Sequence, residues 1–205
     1  MVTDLDAISR ILSSRQRKVT PPSGRLTAAV LLGLYGPAPD FRIIYTVRTQ
    51  EVEHHKGEIS FPGGAQDPQD KSFLDTALRE TEEEMGIRRN DVEVLGELDD
   101  VPTRSGFLIH PFVGLIPYPC ELKPSDDEVA EVLEVPLSHL YEGENARKEA
   151  QISGGELNSS SAYVYQDHLI YGATARIIEQ LLRLLAEDPE TEAWWKDSLK
   201  TNTQR

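Results

Sequence analysis

Cysteine, long apolar runs and positive charge are what this sequence has least of. One of its 205 residues is cysteine, Cys120, which excludes an internal disulfide framework and fits a reducing compartment such as the cytoplasm. Cys120 follows Pro119 and has no basic neighbour before Lys123, so it reads as a passive residue rather than a nucleophile. No apolar stretch reaches the ~18–20 residues of a membrane span; the longest, 26–35 and 107–116, have the length of core strands. No membrane association is expected. Residues 1–17 lack a long apolar centre and include Asp4 and Asp6, so neither a secretory nor an organellar leader is expected there. Lys and Arg number 21 against 35 Asp and Glu, a formal net charge of -14. That balance argues against nucleic-acid wrapping, which needs a basic surface. A small anionic substrate stays compatible, because bound cations invert a local field.

The length suits one domain with embellishments and leaves room for two small ones. Asp4–Ser14 reads as an amphipathic helix, and Pro21-Pro22-Ser23-Gly24 closes a lead-in over residues 1–24. Residues 25–35 and 41–48 read as strands joined by a Gly/Pro turn. A polar loop over 49–57 and a short strand at 59–61 precede Pro62-Gly63-Gly64. Further strands are predicted over 92–99, 108–117, 128–133 and 162–169, and a short helix over 136–140. Residues 142–160 read as a polar, mobile loop. A strong amphipathic helix covers 174–185 and a last short helix 192–199, whose Trp194 and Trp195 are assigned to packing. Strands dominate the middle with helices scattered among them, so the class is α+β, an α/β/α layering. The main domain is expected over 25–186, with a C-terminal helix and tail over 187–205.

One segment carries far more carboxylate than a helix needs: Ala77-Leu78-Arg79-Glu80-Thr81-Glu82-Glu83-Glu84-Met85-Gly86-Ile87. Like charges three and four residues apart destabilise a helix by roughly 0.2–0.5 kcal/mol per pair. At about 100° per residue, Leu74, Leu78, Thr81 and Met85 share one stripe. Glu80, Glu83 and Glu84 share another, and Glu82 falls between, towards Asp75 and Arg79. Ser72 with Asp75 resembles a capping box, and Gly86 suits the position just past the helix. A solvated acidic face would explain the helix alone. The glycine turn before it favours a hard divalent cation, since glycines let backbone N–H groups approach phosphate oxygens. Metal-assisted hydrolysis of a phosphate or pyrophosphate follows as the reaction class.

The pattern Gly64-x5-Asp70-x8-Arg79-Glu80-Thr81-Glu82-Glu83-Glu84-Met85-Gly86-Ile87 closely resembles the signature box of the Nudix hydrolases. Asp70 stands where a Glu is usual, and one extra residue precedes Arg79. That spacing looks like the coenzyme A pyrophosphatase branch. The flanks resemble it too: Thr46-Val47-Arg48-Thr49, His55-Lys56-Gly57-Glu58-Ile59-Ser60-Phe61-Pro62-Gly63-Gly64, Pro102-Thr103-Arg104-Ser105-Gly106-Phe107 and Tyr171-Gly172-Ala173-Thr174-Ala175-Arg176. Glu53 and His54 stand where the branch usually has an Arg before its His.

The resemblance implies a Nudix fold and Mg²⁺ or Mn²⁺ held by Glu80 and Glu84. It makes Glu83 a third ligand or the base that deprotonates water. Glu128 would be a further ligand or base from a separate loop, or else an exposed charge of the run Asp126-Asp127-Glu128. Arg79 would orient a neighbouring carboxylate, and Gly63 and Gly64 would shape the loop, with Gly86 closing the helix. His55, Gly57 and Glu58 would belong to the substrate-selecting segment. Arg48 and Arg104 would contact phosphates, Lys56 with them. The implied partner is a small molecule, coenzyme A or a related nucleoside diphosphate derivative; a homodimer is left open. Two rival readings stand beside this one: a Nudix hydrolase of ADP-ribose or a dinucleoside polyphosphate, and a non-catalytic Nudix-fold nucleotide sensor.

Overall fold

The structure, a computed structural model, describes residues 4–37, 41–49, 57–142, 145–153, 156–189 and 191. It begins with α1 (Asp4–Ser14), whose Leu5, Ile8, Ile11 and Leu12 share one side at three-four spacing. β1 (Leu26–Tyr35) is buried along nearly its whole length, as befits a continuous apolar run. β2 (Arg42–Arg48), β3 (Ile59–Ser60) and β4 (Gly63–Ala65) lead to α2 (Phe73–Met85). A 3-10 turn at Arg89–Asp91 precedes β5 (Glu93–Glu97), β6 (Val101–Pro102) and β7 (Phe107–Leu115). β8 (Val129–Pro136) runs into α3 (Leu137–Tyr141), followed by β9 (Ala146–Ser153), β10 (Glu156–Tyr165), β11 (His168–Ile170) and α4 (Gly172–Glu187).

Among the described residues, β1 to β8 form one mixed sheet and β9 to β11 a second, antiparallel one. β1 lies parallel to β7, from Leu26 opposite Phe107 to Leu34 opposite Leu115. Its other edge is shared: the first half pairs with β4 and the last two residues with β2. The side chains of β1 alternate between two helical layers. Ala29 and Leu31 face α2 through Ala77, with Phe112 of β7 in the same cluster. Val30, Leu32 and Leu34 join the main core with Ile8 and Leu12 of α1 and with Ile177, Ile178 and Leu181 of α4. This is the expected α/β/α layering: among the described residues the acidic helix stands alone on its face, and α1 is packed into the opposite layer beside α4.

Two expectations need correction. Residues 142–160 are not simply a polar loop, because β9 and β10 pair there, from Ser153 opposite Glu156 to Ala146 opposite Tyr163. The segment is mostly polar, so no apolar alternation marked the strands; the Gly154-Gly155 pair between them was the available hairpin signal. Residues 162–169 are two strands rather than one. The chain reverses at Gln166-Asp167, with Gln166 at φ 52° and Tyr165 opposite His168. The predicted helix at 192–199 with its two tryptophans lies outside the described residues, as do His55, Lys56 and most of the 49–57 loop.

Candidate active site

α2 is built to be rigid. Ser72 caps its start by accepting the Asp75 N–H at 3.1 Å, while the Asp75 carboxylate accepts the Lys71 N–H. Gly86 ends it in the left-handed region at φ 69°, and its N–H returns to the Glu82 carbonyl. Two orphan carbonyls of the last turn are also taken: Met85 O accepts from Lys123 N and Glu84 O from Ser125 N, both at 2.9 Å. The chain then turns at Ser125, whose carbonyl accepts from Glu128 and Val129 N–H. The same contacts that close the helix therefore bring Glu128 to it, and Thr49 N–H, just past β2, holds the Glu128 carbonyl at 3.0 Å.

The acids of α2 have separate environments. Glu82 and Asp75 share Arg89, each at 3.0 Å, on the arc away from the other three. Glu80 is half-buried, bonded to Arg79 at 2.8 Å. Burial raises its pKa, with Glu83 and Glu128 adding to the rise and Arg79 opposing it. Glu83 is exposed and also bonds Arg79, at 3.0 Å. Glu84 is buried, 3% exposed. Its Oε2 accepts the Gly63 N–H at 3.3 Å, and Arg48 stands 3.8 Å from Oε1. Burial pushes its pKa up to about 8; Glu80 and Glu128 push the same way, against Gly63 N–H and Arg48.

Arg79 is pinned from behind. Its Nε and Nη2 grip the two oxygens of Asp70 at 2.9 and 3.0 Å, and Nη2 reaches the Ala65 carbonyl. Asp70 also accepts from Thr76 Oγ1 at 2.8 Å and from Asp67 N–H. The Arg79 fork holds the buried Asp70 carboxyl well below the usual carboxylate range. Asp70 was legible only as a letter in the box; a carboxylate facing a motif arginine was the signal for this role. The glycines are tightly fitted. A Cβ on Gly64 would stand 2.5 Å from the Glu80 carboxyl carbon, and one on Gly63, at φ 153°, would stand 2.3 Å from the Ala29 carbonyl.

Other candidates lie at different distances from this centre. Arg48 ends β2 at a register irregularity; its Nε is buried without a hydrogen-bond partner among the described residues. Gly57 and Glu58 pair with the Arg48 backbone, at 3.1 and 3.0 Å. Arg104 is exposed at the β6–β7 turn, where its charge acts on Arg176 of α4, the helix on the opposite face from α2.

A NUDIX domain model matches residues 25–153. The chain belongs to the Nudix family. A protein of Photorhabdus laumondii named "Uncharacterized Nudix hydrolase NudL" is 39% identical over 181 residues, 85% of this chain and 96% of its own. Its namesake from Pectobacterium atrosepticum is 33% identical over 195 residues, 90% and 95% of the two chains. The crystal structure of a MutT/nudix family protein from Enterococcus faecalis superposes with TM-score 0.50 at 14% identity, over 90% of this chain and 74% of that one, a likeness of fold. The chain is thus a Nudix hydrolase, an enzyme with a small-molecule substrate. Among the described residues no helix is long and apolar enough to cross a membrane.

Nudix hydrolases generally use divalent cations, and the oxygen donors here suit a hard one. Glu84 is an acid removed from water with one long N–H contact and one distant guanidinium, and two further carboxylates face it. A bound cation would supply the positive charge that this set lacks. The carboxylates do not converge on a point, as the helix arithmetic implied; among the described residues no three His, Cys, Asp or Glu side chains already do so. Arg79 draws Glu80 and Glu83 to itself while Glu84 turns to Gly63.

Proposed function

We propose that this enzyme hydrolyses the pyrophosphate bond of coenzyme A or acyl-CoA, giving 3′,5′-ADP and 4′-phosphopantetheine or its acyl form. The observation that carries the reaction is the buried, under-compensated Glu84 facing Glu80 and Glu128 beside a glycine pair. Support for the substrate comes from the box spacing before Arg79 and from the flanking segments that resemble the coenzyme A branch. In this reading Glu80 and Glu84, with Glu83 or Glu128, hold Mg²⁺ or Mn²⁺, which when bound polarises phosphate oxygens and activates water. Glu83 or Glu128 takes the proton of the attacking water; both are exposed and can pass it on. The water oxygen joins one phosphorus as the bridging P–O bond to the other phosphate breaks. Arg79 positions Glu80 and Glu83. Gly63 and Gly64 shape the loop, and Arg48, His55, Gly57, Glu58 and Arg104 select or hold the substrate. The catalytic unit is assigned to residues 25–186 and the compartment to the cytoplasm, in keeping with the single cysteine.

The test is kcat/KM over a panel of coenzyme A, acetyl-CoA, ADP-ribose and a dinucleoside polyphosphate with Mg²⁺ or Mn²⁺. Highest values for the coenzyme A compounds are expected. Faster turnover of ADP-ribose overturns the substrate assignment, and no turnover of any compound favours a nucleotide sensor.

A further inference from the structure

A second charged feature lies across the sheet from the acidic helix. A groove of about 420 Å³ runs between α4 and the Asp99–Pro102 stretch, with Lys18, Arg176 and Arg183 in its walls. Its aspartates are already engaged. Asp99 bonds Arg15 and the Lys18 N–H, and Asp100 bonds Arg17 at 2.6 Å, the Thr20 N–H at 2.8 Å and His110. Glu179 accepts Ser161 Oγ at 2.8 Å. Arg183 of α4 acts on Asp99 as well, whereas Arg176 is not matched in the same way. Arg176 is half-buried, and among the described residues its partner is the Pro102 carbonyl, at 2.6 Å, with no carboxylate. Burial, and after it the nearby charge of Arg104, lower its basicity. A guanidinium partly removed from water beside another one is costly unless an anion meets it. Gln180 holds the wall in place, exchanging hydrogen bonds with Asp99 N–H and carbonyl.

We propose that this groove is an anion site for a dianionic phosphate group, received by Arg176 and by Lys18 and Arg183 at the rim. A planar guanidinium fork and an ammonium are the groups that bind phosphate oxygens best. The site lies in the α4 layer, so a phosphate there is separated by the sheet from the carboxylates of α2. The inference does not depend on the coenzyme A assignment.

Titration calorimetry of the full chain with inorganic phosphate, at constant ionic strength and without divalent cation, tests it. Saturable binding is expected in wild type and in Glu84→Gln. Binding should weaken about tenfold or more in Arg176→Ala and in Arg183→Glu, as for loss of a charge-assisted contact. Arg183 is exposed, so its variant keeps the fold and decides the matter. Unchanged binding in Arg183→Glu, no saturation in wild type, or loss confined to Glu84→Gln overturns the site. A parallel titration with adenosine 3′,5′-bisphosphate separates the sources. Tighter binding than phosphate, lost in the same variants, assigns a nucleotide; equal affinity assigns free phosphate.

Discussion

Glu84 concentrates the electrostatics of the site in one side chain. Its pKa stands at about 8, raised first by burial and then by Glu80 and Glu128. In the unfolded chain a glutamate titrates near ~4.3. Between those values the folded protein holds a proton that the unfolded chain has released, so stability falls as pH rises through that window. Without divalent cation, the urea midpoint should therefore drop from about pH 5 to about pH 8, by at most ~1.4 kcal/mol per pH unit. Glu84→Gln should flatten the dependence; an equal slope in the variant would remove Glu84 as its source. The sequence identified this residue by helix arithmetic and by the resemblance. It did not separate buried Glu84 from exposed Glu83, because that depends on Gly63 lying against one and open solvent against the other. Nor did it give Asp70 its role, since the eight residues between Asp70 and Arg79 close up only in the fold.

The glycine pair and α2 work as one element. Gly63 and Gly64 were legible as a turn; that they form β4, hydrogen-bonded along β1, was not, because three residues carry no periodicity. Their fit separates two outcomes. Gly63→Ala puts a Cβ against the backbone of Ala29 and Val30 at a positive φ, and should lower stability by about 1–3 kcal/mol in urea unfolding. Gly64→Ala meets the Glu80 carboxylate instead. That protein should fold and lose activity, because the acid and not the backbone must move. Similar unfolding midpoints for the two variants would contradict this division. The caps of α2 were readable from Ser72 and Gly86, whose chemistry is local. The closure of its last carbonyls by Lys123 and Ser125 was not, because it joins segments about forty residues apart, and it is this closure that delivers Glu128. The β9–β10 hairpin escaped notice for the opposite reason: most residues of its strands are polar, so no apolar alternation marks them in the sequence.

In the whole molecule the acidic helix faces one side of a sheet whose other side is held by α1 and α4. The sequence placed α1 in a lead-in before the domain, since nothing local says what an amphipathic helix packs on. Ile8 is fully buried in the main core. Ile8→Ala should therefore cost about 2–5 kcal/mol, the range for a core truncation, rather than the few tenths of an exposed position; a small cost would return α1 to the status of an appendage. The layers were legible in outline, because apolar strand runs and helical stripes are local. The path that joins Asp70, Gly63, Glu84 and Glu128 was not. The proposed role of this path in metal-dependent cleavage of coenzyme A can be followed by 3′,5′-ADP release from coenzyme A with Mn²⁺. Wild type should release it, and Glu84→Gln should show kcat/KM lower by about 10²-fold or more, the scale of losing a group that stabilises the transition state. Release by Glu84→Gln at the wild-type rate would contradict the account.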